Sequence, residues 1–250
     1  SCLRNCDKKL LLNFYIKPDA NLGIFNISKY DPNLGFIPKS NLNLLLNNSD
    51  WNNKSLITLK DGIRKTIPKN NSQPKVLTVG DSFAFGDQVS NNETWQSCLN
   101  KRIKKFDFVN AGVFAYGTGQ AVMRAKILSN KDKYDYLIVQ TLVGFDLVRD
   151  QQMIRQGHLK PFFTKVDNSL IINRPLPKNT ENTKWGQVVI KPHDYLFANL
   201  RILDKTKAKG LRQKSINVFN RLKTQYPENP APVKMILEWA VDQSKEINKN

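Results

Sequence analysis

The sequence predicts an α/β fold in which a parallel sheet follows an irregular N-terminal extension. Three short runs rich in β-branched and aromatic residues, at 75–80, 106–110 and 134–142, are typical of buried strands. Between them, residues 94–104 and 119–128 place apolar side chains at helical spacing. Strands that alternate with helices predict crossover connections, parallel pairing and helices on both faces of the sheet.

The remaining segments are arranged around this core. Residues 1–74, rich in Asn, Lys, Pro and Gly, form the predicted extension that packs on the core, and residues 75–250 form the α/β domain. Within that domain an insertion spans about residues 151–190 and contains a predicted hairpin at 166–173. Further helices are predicted at residues 193–203, 212–222 and 233–247.

The longest apolar stretches, such as residues 136–143, are only strand-sized. None approaches the roughly 20 residues that a membrane-spanning helix needs. The chain begins with Ser1 rather than Met, which favours an upstream signal or anchor that has been removed. We therefore expect an exported protein, either periplasmic or anchored to a membrane through that removed N-terminus.

The chain is strongly basic, with 39 Lys and Arg against 21 Asp and Glu and a net charge of +18. Such a charge attracts anionic polymers, membrane surfaces or acidic proteins. The basic residues are densest at 205–223, but no zinc-finger spacing, arginine-rich arm or aromatic RNA-binding motif occurs, so nucleic acid is not favoured.

The cysteines and histidines predict neither a disulfide framework nor a metal centre, and no cofactor is expected. Cys2 and Cys6 can pair with each other or stay free. Cys98 lies in an apolar helical pattern and is expected to be a small buried residue.

Ser82 is the main candidate for chemistry. The first predicted strand ends in Gly80-Asp81-Ser82, and ligands of open parallel sheets bind beyond the carboxyl ends of the strands. A serine held there can expose its hydroxyl as a nucleophile, while its own amide binds an oxyanion. The structural alternative is an ordinary turn in which Asp81 accepts hydrogen bonds from its own backbone.

The surrounding sequence resembles the SGNH (GDSL-type) hydrolase family. The serine block at residues 80–87 is followed by Glu-Thr-Trp at 93–95, an Asn-Ala-Gly block at 110–120 and the strand at 134–139. Upstream, residues 30–36 and 61–64 resemble the leader of one bacterial branch, and residues 160–163 and 169–173 resemble its small insertion. The resemblance extends over about residues 30–205.

The resemblance implies a flavodoxin-like, three-layer α/β/α fold and hydrolysis or transfer of an acyl ester. Ser82 would attack the carbonyl carbon, and a histidine, held by an aspartate three residues before it, would take the serine proton. The oxyanion would accept hydrogen bonds from the Ser82 amide, from a glycine amide in the second block and from an asparagine side chain in the third. The substrate would be an acylated carbohydrate or lipid.

Two oxyanion donors depart from the family pattern. The glycine of the second block corresponds to Ala115, whose amide can still donate if its backbone adopts the required conformation. In the third block, Gly144, Phe145 and Asp146 stand where the family has Gly-Asn-Asp. The phenyl ring of Phe145 cannot donate a hydrogen bond, and residues 141–156 contain no asparagine to replace it.

The residues available as general base depart further from the family pattern. Arg155 precedes His158 by three residues and Ile190 precedes His193 by three, so neither histidine fits Asp-x-x-His. The family's histidine follows a further strand after a helix like the one predicted at 233–247, and that block does not occur in this sequence. We expect either a truncated chain or a member that lost its catalytic end.

Two functions follow from this sequence. The first is a serine ester hydrolase or acyl-transferring enzyme, impaired in the chain as given. The second is an inactive SGNH-like fold, used as a binding or structural subunit whose basic surface contacts an anionic partner or a larger assembly.

Overall fold

The structure is a computed structural model, and it describes residues 27–47, 51–71, 74–155, 158–174 and 229–247. Several predicted features lie outside the described residues: the helices at 193–203 and 212–222, the basic stretch at 205–223, Cys2, Cys6 and His193. Among the described residues, no helix combines the length and apolar composition required to cross a bilayer.

The described chain is a mixed α/β structure of short strands and five α-helices. The strands, in chain order, are β1 (Ser28–Asp31), β2 (Gly35–Pro38), β3 (Asn43–Leu46), β4 (Lys54–Ile57), β5 (Lys75–Val79), β6 (Asp107–Asn110), β7 (Tyr136–Val139), β8 (Ile154–Arg155), β9 (His158–Leu159), β10 (Phe162–Val166) and β11 (Ser169–Asn173). The helices are α1 (Ser82–Phe85), α2 (Trp95–Arg102), α3 (Thr118–Ser129), α4 (Asp146–Arg149) and α5 (Val233–Ile247).

Three parallel strands form the central sheet. β5 lies between β6 and β7 and pairs in parallel with both, as the alternation of strands and helices predicts. Because β5 is the middle strand, Leu77 and Val79 are fully buried. The parallel sheet and the helices α2, α3 and α5 are therefore confirmed, although β6 and β7 are shorter than the apolar runs that predicted them.

β7 is less buried than its apolar sequence predicts. Its side chains alternate between exposed and half-buried, with Tyr136 54% and Ile138 38% exposed. The half-buried residues Leu137 and Val139 pack against the core to which α3 and α5 contribute. The apolar run therefore covers one face of the sheet instead of being enclosed on both.

The described part of the extension contains two antiparallel hairpins, β1–β2 and β3–β4. Phe36 packs edge-on against Tyr116 with ring centroids 5.4 Å apart, and the Tyr116 hydroxyl donates to the Phe36 carbonyl oxygen at 2.5 Å. Trp51 and Leu56 form a second cluster with Phe85. The hairpins thus bury their apolar side chains against the segments that follow β5 and β6.

Within the insertion, β8 pairs with β9 and β10 pairs with β11. The β10–β11 hairpin begins at Phe162, earlier than the predicted hairpin at 166–173, because Phe162 and Phe163 are buried. Phe163 packs against Trp239 of α5, with ring centroids 5.2 Å apart. The insertion and the last described helix therefore meet beside α3.

The buried face of α2 is polar, which corrects the prediction for Cys98. Gln96, Ser97 and Asn100 are fully buried, whereas Cys98 is exposed. Asn100 accepts from the Phe108 amide at 2.8 Å and donates to the carbonyl oxygens of Phe108 and Pro68. Because these polar side chains pair with buried backbone groups, they face inward in spite of the apolar periodicity.

Asn100→Ala is expected to lower the free energy of unfolding by about 2–4 kcal/mol, because it leaves the buried Phe108 amide and carbonyl without that partner. Cys98→Ala, on the exposed side of the same helix, is the matched control and should change it by less than about 0.5 kcal/mol. Urea denaturation followed by circular dichroism measures both. Equal losses at the two positions would contradict a polar inner face.

Candidate functional site

Ser82 begins α1 directly beyond the carboxyl end of β5, where the sequence predicts it. Asp81 caps the helix, since its carboxylate accepts from the Phe83 amide at 2.9 Å. A Cβ on Gly80 would come within 2.8 Å of both Ala84 and Gln140, so the close approach of these segments requires glycine. The serine is thus held at the carboxyl edge of the sheet, and its side chain is only half-buried.

The polar groups of Ser82 are available for a ligand. Within the described part of the chain, neither its amide nor its hydroxyl has a hydrogen-bond partner in the protein. The amides of the first turn of a helix lack partners within the helix, and Asp81 satisfies only the one at Phe83. A free hydroxyl and a free amide therefore belong to the same residue.

Arg64 of the extension secures the other end of α1. Its fully buried guanidinium donates to the carbonyl oxygens of Phe85 at 2.9 Å, of Gly86, and of Val89 at 2.5 Å. It also lies 4.9 Å from the centre of the Phe85 ring, and burial lowers its pKa to about 10. The last carbonyl groups of the serine-bearing helix are thereby satisfied from outside the helix.

The Asn-Ala-Gly block lies against α1. The Asn110 amide nitrogen donates to the Phe85 carbonyl oxygen and to Gln96, both at 3.1 Å, while its oxygen accepts from the Gly112 amide at 3.1 Å. A Cβ on Gly112 would overlap the backbone of Phe85. Hydrogen bonding and packing therefore explain why these positions hold Asn110 and Gly112, and neither residue needs a catalytic role to explain its presence.

Ala115 adopts a left-handed backbone conformation, with φ of 60°. This is a conformation that glycine reaches without strain and that an L-residue reaches at a cost. The Ala115 amide, like that of Ser82, has no protein acceptor among the described residues. The position that the SGNH resemblance assigns to glycine thus has glycine-like geometry and an unused N–H group.

The third block supplies no side-chain donor. Phe145 is 63% exposed and Val143 79% exposed, and a Cβ on Gly144 would meet nothing within 4 Å. Asp146 is instead buried, and its carboxylate accepts from the Leu142 amide at 2.7 Å. Burial raises the pKa of Asp146 against the opposing effect of this hydrogen bond. The loop therefore presents apolar side chains beyond β7.

Arg149 connects all three blocks, and sequence reasoning missed it. One nitrogen of its guanidinium donates to Asp81 at 3.1 Å, to Asp146 at 2.7 Å and to the Tyr116 carbonyl oxygen at 3.3 Å. Asp81 and Tyr116 are the chain neighbours of Ser82 and Ala115, so the two free amides belong to segments that converge on this nitrogen. The only sequence indication was the i,i+3 spacing of Asp146 and Arg149.

Two further buried charged residues, Asp150 and Lys160, were also missed. Asp150 accepts from the amides of Gly119 at 2.6 Å and Gln120 at 3.2 Å, at the N-terminus of α3. Burial raises the pKa of Asp150 to about 6 and lowers that of Lys160 to about 8, although the two attract each other. The Asp150 carbonyl oxygen also accepts from the Phe163 amide at 2.9 Å, so Asp150 fixes the start of α3 relative to the insertion.

Neither histidine is placed beside Ser82 by the described contacts. His158 lies in β9, where its backbone is paired with that of Arg155, and His193 is outside the described residues. Among the described residues, no group of three or more His, Cys, Asp or Glu side chains is arranged to hold a metal ion.

Comparisons with known proteins assign no family to the chain. A scan against protein-family models finds no match, and a search of curated proteins finds none either. The SGNH resemblance therefore depends on the quoted sequence blocks alone.

Ala115→Gly is expected to change the free energy of unfolding by less than about 1 kcal/mol, because relief of left-handed strain offsets the lost methyl and the added chain entropy. Ala121→Gly, inside α3, is the control and should cost about 1–2 kcal/mol, since helical backbone offers no such relief. Thermal unfolding compares the two. A larger loss at position 115 than at 121 would contradict the strained geometry.

The buried Asp150 should make stability depend on pH. Its folded pKa of about 6 exceeds the ordinary value near 3.9, so between these values the folded state keeps a proton that the unfolded state has lost. Its contribution is therefore full below about pH 4 and falls as the pH rises towards 6. The unfolding free energy of wild type minus that of Asp150→Asn should fall by about 2 kcal/mol over this range.

Asp61→Asn is the matched control, because the hydrogen bond from Lys131 lowers the pKa of Asp61. The unfolding free energy of wild type minus that of Asp61→Asn should rise with pH, because the contribution of Asp61 is lost as the pH falls. Urea titrations at several pH values measure both. A difference for Asp150→Asn that grows with pH would contradict a raised pKa.

Proposed function

We propose that this chain bears an SGNH-type serine site for hydrolysis or transfer of an acyl ester, with Ser82 as the nucleophile. The flavodoxin-like three-layer arrangement belongs to the same proposal. The observation that supports it most is that the amides of Ser82 and Ala115 have no partner among the described residues. Arg149 joins the two segments that carry these amides, at the carboxyl end of the central strand. Two such amides are the donors that an acyl-transfer oxyanion needs.

In this proposal the Ser82 hydroxyl oxygen attacks the ester carbonyl, and the two amides stabilise the charge that forms on the carbonyl oxygen. The bond between the carbonyl carbon and the ester oxygen then breaks, and the alcohol leaves with the proton that the serine hydroxyl gave up. Water or a second alcohol attacks the acyl-serine in the same way and returns a proton to the serine oxygen as the acyl group is released. Phe83, which is 64% exposed, adjoins the nucleophile and offers an apolar surface to the acyl group. An acylated carbohydrate or lipid is the proposed substrate.

The expected rate is low for two reasons. Phe145 supplies no third donor, and loss of one oxyanion donor typically costs ~10²–10³ in rate. In addition, no described side chain is bonded to the Ser82 hydroxyl to take its proton. A serine without its histidine retains only the contributions of substrate binding and the oxyanion donors.

A second candidate function is that of an inactive SGNH-like fold acting as a binding or structural subunit. The observation that favours it is the exposed Phe145 at the donor position, together with the net charge of +18. Such a protein would contact an anionic partner through its basic surface rather than turn over an ester.

A fluorophosphonate probe and hydrolysis of p-nitrophenyl acetate distinguish the two candidates. The hydrolase proposal expects the probe to label wild type and the control variant Ser169→Ala, which changes an exposed serine of β11, but not Ser82→Ala. Phe145→Asn should raise the hydrolysis rate by about 10- to 100-fold, because a side-chain amide that can donate a hydrogen bond then replaces a phenyl ring that cannot. If neither wild type nor Phe145→Asn is labelled, or Ser82→Ala reacts equally, the hydrolase proposal fails and the binding role is favoured.

A further inference from the structure

A cleft of about 520 Å³ lies at the amino end of the sheet. The extension forms one wall, and the first residues of β5 and β6 and the end of α3 form the others. The residues that matter here are Lys60, Lys65, Lys69, Lys75, Lys131 and Tyr134. We call it the lysine cleft.

The lysine cleft is separate from the serine site. Lys75 is the first residue of β5, whereas Ser82 follows its last residue. A five-residue strand spans ~16 Å, so the two sites lie at opposite ends of the central strand. A function of the cleft therefore does not depend on Ser82.

The cleft has an excess of positive charge. Two of its lysines are paired with carboxylates, Lys75 with Asp132 at 2.8 Å and Lys131 with Asp61 at 2.7 Å. The cleft's third aspartate, Asp107, accepts instead from the backbone amide of Asn70 at 3.2 Å.

The other three lysines, Lys60, Lys65 and Lys69, are all exposed, and none has an ion-pair partner in the part of the chain that the structure describes. These free ammonium groups all belong to the extension, on one side of the opening. An approaching anion would thus meet unpaired cations along one wall.

The inner surface of the cleft is apolar and aromatic. Leu128 and Val109 contribute aliphatic side chains, and the half-buried Tyr134 contributes a ring with the Lys75 ammonium 5.9 Å from its centre. Small-molecule sites commonly combine such an apolar lining with a few polar groups, in cavities of ~300–1,000 Å³. The volume of the lysine cleft falls within that range.

We propose that the lysine cleft binds a small phosphorylated ligand of about the size of a sugar phosphate. Lysine ammonium groups bind phosphate as point charges, and the ring and aliphatic floor would contact the uncharged part of the ligand. A nucleic-acid strand fits less well, because the cleft is a single cavity with one aromatic ring and not a track of stacking residues.

Inorganic pyrophosphate is the probe, titrated into the full chain at about 0.15 M salt, with affinity measured by calorimetry and the contact mapped by amide NMR shifts. We expect saturable binding with shifts clustered at Tyr134 and Lys131. The triple variant Lys60→Gln, Lys65→Gln, Lys69→Gln should weaken binding at least about tenfold. Since all three side chains are exposed, the variant should keep the wild-type melting temperature.

The matched control removes the same charge elsewhere, through Lys29→Gln, Lys101→Gln and Lys105→Gln, and should weaken binding less than about twofold. Equal weakening by the two triple variants would show that only net charge attracts the probe, and the proposal would be overturned. The same holds if wild type shows no saturable binding. Tighter binding of a single-stranded oligonucleotide than of pyrophosphate, lost in the same variant, would replace the small ligand with nucleic acid.

Discussion

The arrangement of the candidate site depends on the ion pairs that the Arg149 guanidinium group forms with two buried aspartates. Asp81 and Asp146 are almost completely buried, and both bond to the same arginine nitrogen. Buried carboxylates are stable only with partners, and removing one member of such a set typically costs about 3–5 kcal/mol. The loops that follow β5 and β7 must therefore stay together for both charges to be compensated. The Tyr116 carbonyl oxygen brings the loop after β6 to the same point.

The extension is part of this arrangement and not an appendage to it. Arg64 bonds the carbonyl groups at the end of α1, and the buried Arg124 of α3 donates to the Ala111 and Asp61 carbonyl oxygens. Asn91 in turn bonds the backbone of Ile57 in β4. Because these buried side chains pair with backbone across the two parts, neither part can move without leaving polar groups unsatisfied.

Periodicity predicted the elements well but not always their orientation. The strands β5, β6 and β7 were predicted because apolar, β-branched runs have few alternatives to a sheet. The inner face of α2 was predicted wrongly, because Gln96, Ser97 and Asn100 are buried for their hydrogen bonds and not for their hydrophobicity. A scale of apolar character cannot identify such residues, since their partners are distant in sequence.

By itself, the sequence determined that Ser82 would stand beyond a buried parallel strand and that Phe145 could donate no hydrogen bond, because both follow from local composition and residue chemistry. The tertiary structure alone decided that the Ser82 and Ala115 amides find no partner among the described residues, and that Ala115 takes a left-handed conformation. It also decided that Arg149 joins the three blocks and that Asp150 and Lys160 are buried together. These features arise from groups far apart in the chain, whose pairing is settled by which buried charges and amides must be satisfied when the elements pack.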